Sequence, residues 1–343
     1  MTSVTIIGGG IFGLCCAWEM SRRGASVRVI EADRIGAGSS GGHVGALAPH
    51  APDNWNPKKA FQLESLLMAG SFWRDVEAAS GQPTGYLRAG RLQPLTDPDE
   101  AARLQARITA SQDRWPTEMQ LRLTDRPDAA LIPDSPIGLW LVDGLTARIN
   151  PRAALSALTQ ALRRSGAEVI EGQRPDPDAL TGTTLWATGT PGLLDLTDAL
   201  GRNIGKGVKG QSALLRHAAP NAPQVFADGL HIVPHQDGTV AIGSTSENEY
   251  GDLQHDERLD EIIARARQLC PALADAPVID RWAGARARAK SRAPLLGHWP
   301  GREGHFVANG GFKIGFGMAP KIAALMANLI LTGQDAIPEG FRL

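Results

Sequence analysis

The sequence predicts an α/β chain: a parallel sheet assembled from segments far apart in sequence, with an antiparallel sheet inserted among them. Three observations predict it. Residues 4–31 read as strand, glycine turn, helix, strand and acid. A second helix-and-strand unit, Asn150 to Glu171, comes much later and is followed by the apolar run Thr184–Gly189. Between Lys206 and Asp280 the pattern changes to short strand-like runs.

The first unit is the most informative. Val4-Thr5-Ile6-Ile7 leads into Gly8-Gly9-Gly10-Ile11-Phe12-Gly13, whose glycines are spaced as G-x-G-x-x-G. In this motif Gly8 admits the tight turn and Gly10 lets backbone approach a pyrophosphate. Gly13 lets the following helix sit close to the strand. The phosphates then rest on N–H groups at the helix N-terminus. Val27–Ile30 is the second strand, and Glu31 ends it with a carboxylate placed to accept from a ribose 2′-OH. A phosphate on that hydroxyl would be repelled, so the adenosine is expected to be unphosphorylated. The unit as a whole predicts a Rossmann-like dinucleotide site.

The remaining elements follow in order. Residues 35–47 are small and hydroxyl-bearing, suited to backbone lying against a large flat ligand. Residues 58–80 have helical spacing of Phe61, Leu66, Leu67 and Phe72. Gly90–Leu95 reads as a strand, and Asp97 caps a helix through Thr109. Gly138–Val142 is a strand before the turn pair Asp143-Gly144. Asn150 caps a helix to Arg164 with Pro151 in its first position, and Gly166–Glu171 is its exit and the next strand. Thr184–Gly189 is a buried strand ending in small residues. Strands are expected at Ser212–Leu215, His231–Pro234 and Thr239–Gly243, with a helix from Asp256 to Leu269. A glycine-rich stretch then precedes a helix from Ala319 to Leu331, with Gly333 as its exit.

A chain of 343 residues accommodates two domains. Its net charge of −1 implies neither a nucleic-acid partner nor a polybasic membrane contact. Three cysteines supply no disulfide framework, no metal-ligand spacing and no C-x-x-C pair, usage that suits a reducing cytoplasm. Cys15 and Cys16 read as small core fillers. Val4–Trp18 is uncharged like a signal segment, but no Lys or Arg precedes it and it carries the phosphate glycines. No uninterrupted apolar run reaches about 18 residues, so no membrane-spanning helix is expected.

In order along nearly the whole chain, these residues resemble the glycine oxidase and D-amino acid oxidase family of FAD-dependent oxidoreductases. The resemblance rests on Gly8–Gly13, Glu31, Gly38-Ser39-Ser40 with Gly45-Ala46-Leu47, Asp143-Gly144 before Pro151, and Ala187-Thr188-Gly189. It continues through Lys209-Gly210-Gln211, Val233-Pro234, Ile242–Thr245 and Trp282–Arg286 to Pro294–Gly297. It ends with Asn309–Lys313 and Gly317–Pro320. The ordered set is specific, and glycine oxidases look closest.

The resemblance implies a glycine oxidase-like fold with FAD bound by Gly8, Gly10, Ile11, Phe12, Gly13, Glu31, Ala32, Ser39, Ser40, Val44, Gly45 and Ala46. Ala187, Thr188, Gly189, Gly311, Phe312, Lys313, Ile314 and Gly315 complete that set. It implies oxidation of an amine beside a carboxylate, with hydride passing from the α-carbon to flavin N5 and the imine then hydrolysed. Arg286 carries the carboxylate clamp, because its fork matches a carboxylate. His231 stands where glycine oxidases place a tyrosine, and Lys313 where they carry an arginine. An unperturbed histidine predicts a pH dependence at about 5.5–7.5 carried by His231. His50, just after Ala48-Pro49, reads as a surface histidine, with a place facing the pocket left open. Gln173–Pro177 departs from the sheet continuation with which relatives contact the adenine. No cysteine follows Cys270, so the FAD is expected to be noncovalent.

The expected division assigns 1–85, 145–205 and 281–343 to FAD and 86–144 and 206–280 to substrate. The expected partners are a small amino acid and either oxygen or an electron carrier; a homo-oligomer stays open. Two further readings stay open: a dehydrogenase serving a carrier, and a non-catalytic flavoprotein subunit. A nicotinamide dehydrogenase is disfavoured by the serine-rich and C-terminal loops.

Overall fold

A computed structural model describes residues 2–343. Its six-stranded sheet has the order Leu295–His298, His305–Asn309, Thr183–Trp186, Ser3–Ile7, Ser26–Ile30, Glu168–Ile170. All pairings are parallel except Leu295–His298 against His305–Asn309. The central strand Ser3–Ile7 is β-branched and buried at Val4, Ile6 and Ile7, as a strand covered on both faces must be. Helices Ile11–Arg22, Pro151–Arg164 and Gly315–Thr332 cover one face, with Pro57–Ser80 packed outside them on the last two. Helix Gly189–Leu200 lies on the other, with Leu193 and Leu196 packed among Ile7, Ile30 and Trp186. Cys15 and Cys16 are fully buried in the larger core, where burial raises both thiol pKa values, so they are inert fillers as expected.

The eight-stranded sheet runs Val278–Ala289, Gly205–Arg216, Thr239–Gly243, Leu230–Pro234, Gln224–Ala227, Arg91–Pro94, Trp140–Asp143, Arg122–Thr124. Alternation sorts its faces. Val225, Ile232, Val240 and Ile242 pack on helix Glu257–Leu269 through Leu259, Ile262 and Ile263. Phe226, His231 and Ser212 point the other way, toward the cavity between the sheets. The expected division at residue 281 cuts through Val278–Ala289, which pairs along its length with Gly205–Arg216.

Other differences have local causes. Helix Pro98–Arg114 runs past Thr109 because Ile108 and Ser111 remain buried. The last helix starts at Gly315, a turn before the expected Ala319, and holds Pro320 within it. Pro320, the sixth residue of the helix, has no N–H to give the Phe316 carbonyl, so one ladder bond is missing in its second turn. This helix is also the one, among the described residues, long and apolar enough to cross a bilayer. Lys321 still interrupts its apolar run, and more than half of the helix is buried within the protein. Met318, Ile322, Leu325, Met326 and Leu329 bury its inner face in the core.

Candidate active site

A cavity of about 920 Å³ lies beyond the carboxyl ends of Ser3–Ile7, Ser26–Ile30 and Thr183–Trp186. Ligands of open parallel sheets bind in this position. Of the residues expected to hold the cofactor, all but Gly13 line it. The three glycines do different work. Gly8 has φ +114°, and a Cβ there would stand 2.4 Å from the Ala187 carbonyl. At Gly13 a Cβ would stand 2.0 Å from the Gly8 carbonyl, so Gly13 packs helix on turn and stays off the cavity wall. Gly10 has φ −86°, open to any residue, and a Cβ would meet only Ser40 Oγ at 3.2 Å. Neither backbone nor packing demands glycine at position 10; the cavity in front of it does.

The Glu31 carboxylate takes the Gly9 N–H at 2.6 Å and the Asp33 N–H at 3.0 Å and borders the cavity. Ser40 Oγ accepts from the Ile11 N–H at 3.0 Å, tying the serine loop to the helix N-terminus. Thr188 Oγ1 is buried without a partner on the same wall. Gln173, Arg174, Pro175 and Pro177 line the cavity although the strand before them stops at Ile170. A glycine-backed helix N-terminus, a carboxylate and an orphaned hydroxyl fit an adenine dinucleotide. Cys15, Cys16 and Cys270 do not line the cavity.

The other end is cationic. Arg286, 9% exposed, donates from Nη1 to Ser244 Oγ at 2.6 Å and from Nη2 to the carbonyls of Thr245 at 2.5 Å and Lys209 at 3.4 Å. Gly210 makes the room: a Cβ there would lie 2.3 Å from the guanidinium. Two of the five N–H donors, including the buried Nε, keep no protein acceptor. Burial pulls the guanidinium down to about 10, so it stays charged at neutral pH. Lys313 has no hydrogen-bonding or ion-pairing partner among the described residues; burial and then Arg286 and Arg288 lower its pKa. Arg286 and Lys313 both lie over the Phe312 ring, at 5.6 and 5.8 Å. Arg91 borders the cavity too, paired at 3.0 Å with the fully buried Asp143.

His231 faces the cavity with its ring 4.7 Å from that of Phe226. Its Nδ1 has no partner. Burial, then the charges of Arg91 and Lys313, pull its pKa down to about 3. This corrects the expected titration at about 5.5–7.5: the ring is neutral throughout that range. Its folded pKa lies below its unfolded one, so its contribution to stability is complete above about pH 6.5 and is lost as pH falls toward about 3. Urea unfolding is expected to show His231→Phe losing up to about 3 kcal/mol less than wild type between about pH 7 and pH 4. Equal losses would mean the ring is solvated. His50, expected at the surface, instead lines the cavity with Nδ1 unpartnered.

Sequence reasoning gave no site role to Arg91, Phe226, His43 or Ser212, nor to Trp282 and Ser244, which it used only within the resemblance. Register holds the missing signal. Gly243 pairs with both Ser212 and His231, which puts those side chains on one face.

Comparison with known proteins agrees with this geometry. The family model described as DAO, FAD dependent oxidoreductase, matches residues 3–329. A bifunctional ThiO/ThiG protein of Synechocystis is 27% identical over 96% of the chain, which spans only 52% of that relative. A glycine oxidase of Pseudomonas aeruginosa is 27% identical, covering 97% of this chain and 96% of its own. The crystal structure of glycine oxidase from Geobacillus kaustophilus superposes with a TM-score of 0.86 at 23% identity, covering 100% and 99% of the two chains.

Proposed function

The chain belongs to the DAO family of FAD dependent oxidoreductases, and from that premise we propose that it oxidises the amine of a small amino acid or N-substituted amino acid. The observation that carries this reading is one cavity with two unlike ends: a dinucleotide cradle at Gly8–Ile11 and Glu31, and cations at Arg286 and Lys313. Bound FAD supplies the hydride acceptor. Arg286 and Lys313 hold the carboxylate and so present the α-carbon. Phe226 and His231 wall the cavity as neutral rings, which leaves the carboxylate as the charged handle. We assign FAD to the six-stranded sheet with its helices, and the substrate wall to the eight-stranded sheet including all of Val278–Ala289.

An anaerobic screen of glycine, sarcosine, D-amino acids and cyclic imino acids tests the reading, with bleaching of flavin absorbance as the readout. Bleaching by at least one of them is the expected result; none bleaching while dithionite does would favour a non-catalytic subunit. Readmitted air then separates oxygen from a carrier by the peroxide formed. The FAD is expected to be noncovalent, since the three cysteines stand away from the cavity. After denaturation and filtration the flavin should pass into the filtrate; yellow colour left on the protein would refute this.

A further inference from the structure

Ser212, His43 and Asp280 form a continuous hydrogen-bonded chain where the loop 35–47 meets the eight-stranded sheet. Ser212 Oγ lies 3.1 Å from His43 Nδ1, and His43 Nε2 lies 3.1 Å from Asp280 Oδ2. Ser212 and His43 are buried, yet both border the cavity. Asp280 is the outer end, its side chain 41% exposed and 2.7 Å from Arg152. Chemistry sets the direction. An ionised carboxylate only accepts, so His43 carries its hydrogen on Nε2 and its Nδ1 is bare. Ser212 O–H therefore donates to Nδ1. Its oxygen lone pairs make no other protein hydrogen bond among the described residues and are left for the cavity.

The groups around His43 make it the suitable base. Three histidines line the cavity. His231 faces Arg91 and Lys313, and His50 faces Lys58 and Lys59, so both are poor proton acceptors. His43 has a carboxylate on its ring. Arg152 opposes that carboxylate in part, and His235 meets only the His43 carbonyl, donating from Nε2 at 3.1 Å. Burial keeps His43 neutral at rest. A tie between loop and sheet needs no titratable group with a carboxylate behind it.

Resting on the amine-oxidation reading, we propose that Ser212, His43 and Asp280 take up the ammonium proton of the substrate before hydride leaves its α-carbon. An ammonium nitrogen has no lone pair with which to form the imine. In the relay its N–H bond breaks, the pair stays on nitrogen, and the proton goes to Ser212 Oγ. Ser212's own proton moves to His43 Nδ1, and Asp280 holds the imidazolium. On product release the imidazolium returns the proton through Ser212 to water entering the cavity, which restores the starting tautomer.

The test mixes the FAD-loaded protein rapidly with glycine or sarcosine without air, from about pH 6 to pH 10. Flavin bleaching reports reduction, and a dye in weak buffer reports proton release. At about pH 7, Ser212→Ala and His43→Asn should reduce roughly 10²–10⁴-fold more slowly than wild type. The gap should close toward pH 10, where free amine needs no relay, and Ser212→Thr should keep the wild-type profile. Wild type should release the proton to the dye only after bleaching, as product leaves, whereas the two slow variants, which draw free amine from solution, should release it before bleaching. A loss equal at every pH, or no loss at pH 7, would overturn the relay. If His43→Asn does not hold FAD, Ser212→Ala, which removes one hydroxyl, decides by the same criteria. Wild type that no amine bleaches at any pH defeats the amine reading instead.

Discussion

Gly10→Val is expected to give a folded protein that does not retain FAD. The backbone at 10, φ −86° and ψ −179°, is extended and suits valine. The only nearby atom is Ser40 Oγ at 3.2 Å, which can give way. The added methyls instead project where the pyrophosphate meets the helix N-terminus. Overpacking costs about 1–3 kcal/mol, and loss of the phosphate contacts adds to it. FAD should bind at least about a hundredfold more weakly, a change of about 2.7 kcal/mol. Gly13→Ala makes the contrast. Its Cβ would stand 2.0 Å from the Gly8 carbonyl, so that variant should lose thermal stability even without FAD. Stoichiometric FAD in purified Gly10→Val would show that the pyrophosphate lies elsewhere.

Arg286→Leu is expected to cut kcat/KM for an authentic substrate by about one to several decades. Removing one partner of a desolvated charge pair costs roughly 2–5 kcal/mol, and about 1.4 kcal/mol is tenfold. The structure adds a second loss, because Arg286 also supports Ser244 and the Thr245 carbonyl, so part of the effect comes through that loop. Arg286→Lys separates the two: it keeps the charge and loses the fork. FAD content should stay at the wild-type level, since none of the Arg286 hydrogen bonds reaches the glycine turn. Unchanged kinetics in Arg286→Leu would move the clamp to Lys313, the unpaired cation beside it.

The cofactor half of the cavity was legible because its determinants are local. Gly8, Gly10, Gly13 and Glu31 sit within one strand–helix–strand unit, where spacing translates directly into geometry. Asp97 and Asn150 likewise cap their helices through their own side chains, an interaction complete within three residues. The strand Val278–Ala289 was less legible. Its run of alanine, arginine and glycine has weak β-propensity, and only pairing with Gly205–Arg216 makes it a strand.

His231 shows where sequence reading stops. Its identity and its place on a strand were plain from residues 231–234. Its protonation was not, because the desolvating wall and the charges of Arg91 and Lys313 come from positions 140 residues before and 82 after it. His43 is the same case: Ser212 and Asp280 are 169 and 237 residues away. Short-range spacing therefore settled the dinucleotide turn and the order of the elements, since backbone geometry over a few residues suffices for each, while the FAD-dependent class came from the resemblance carried by the ordered set of motifs. The charge state of the cavity, the partners of Arg286 and the Ser212–His43–Asp280 chain arose only on folding. Electrostatics and hydrogen bonding act through space, and packing brings those groups within about 3 Å of one another.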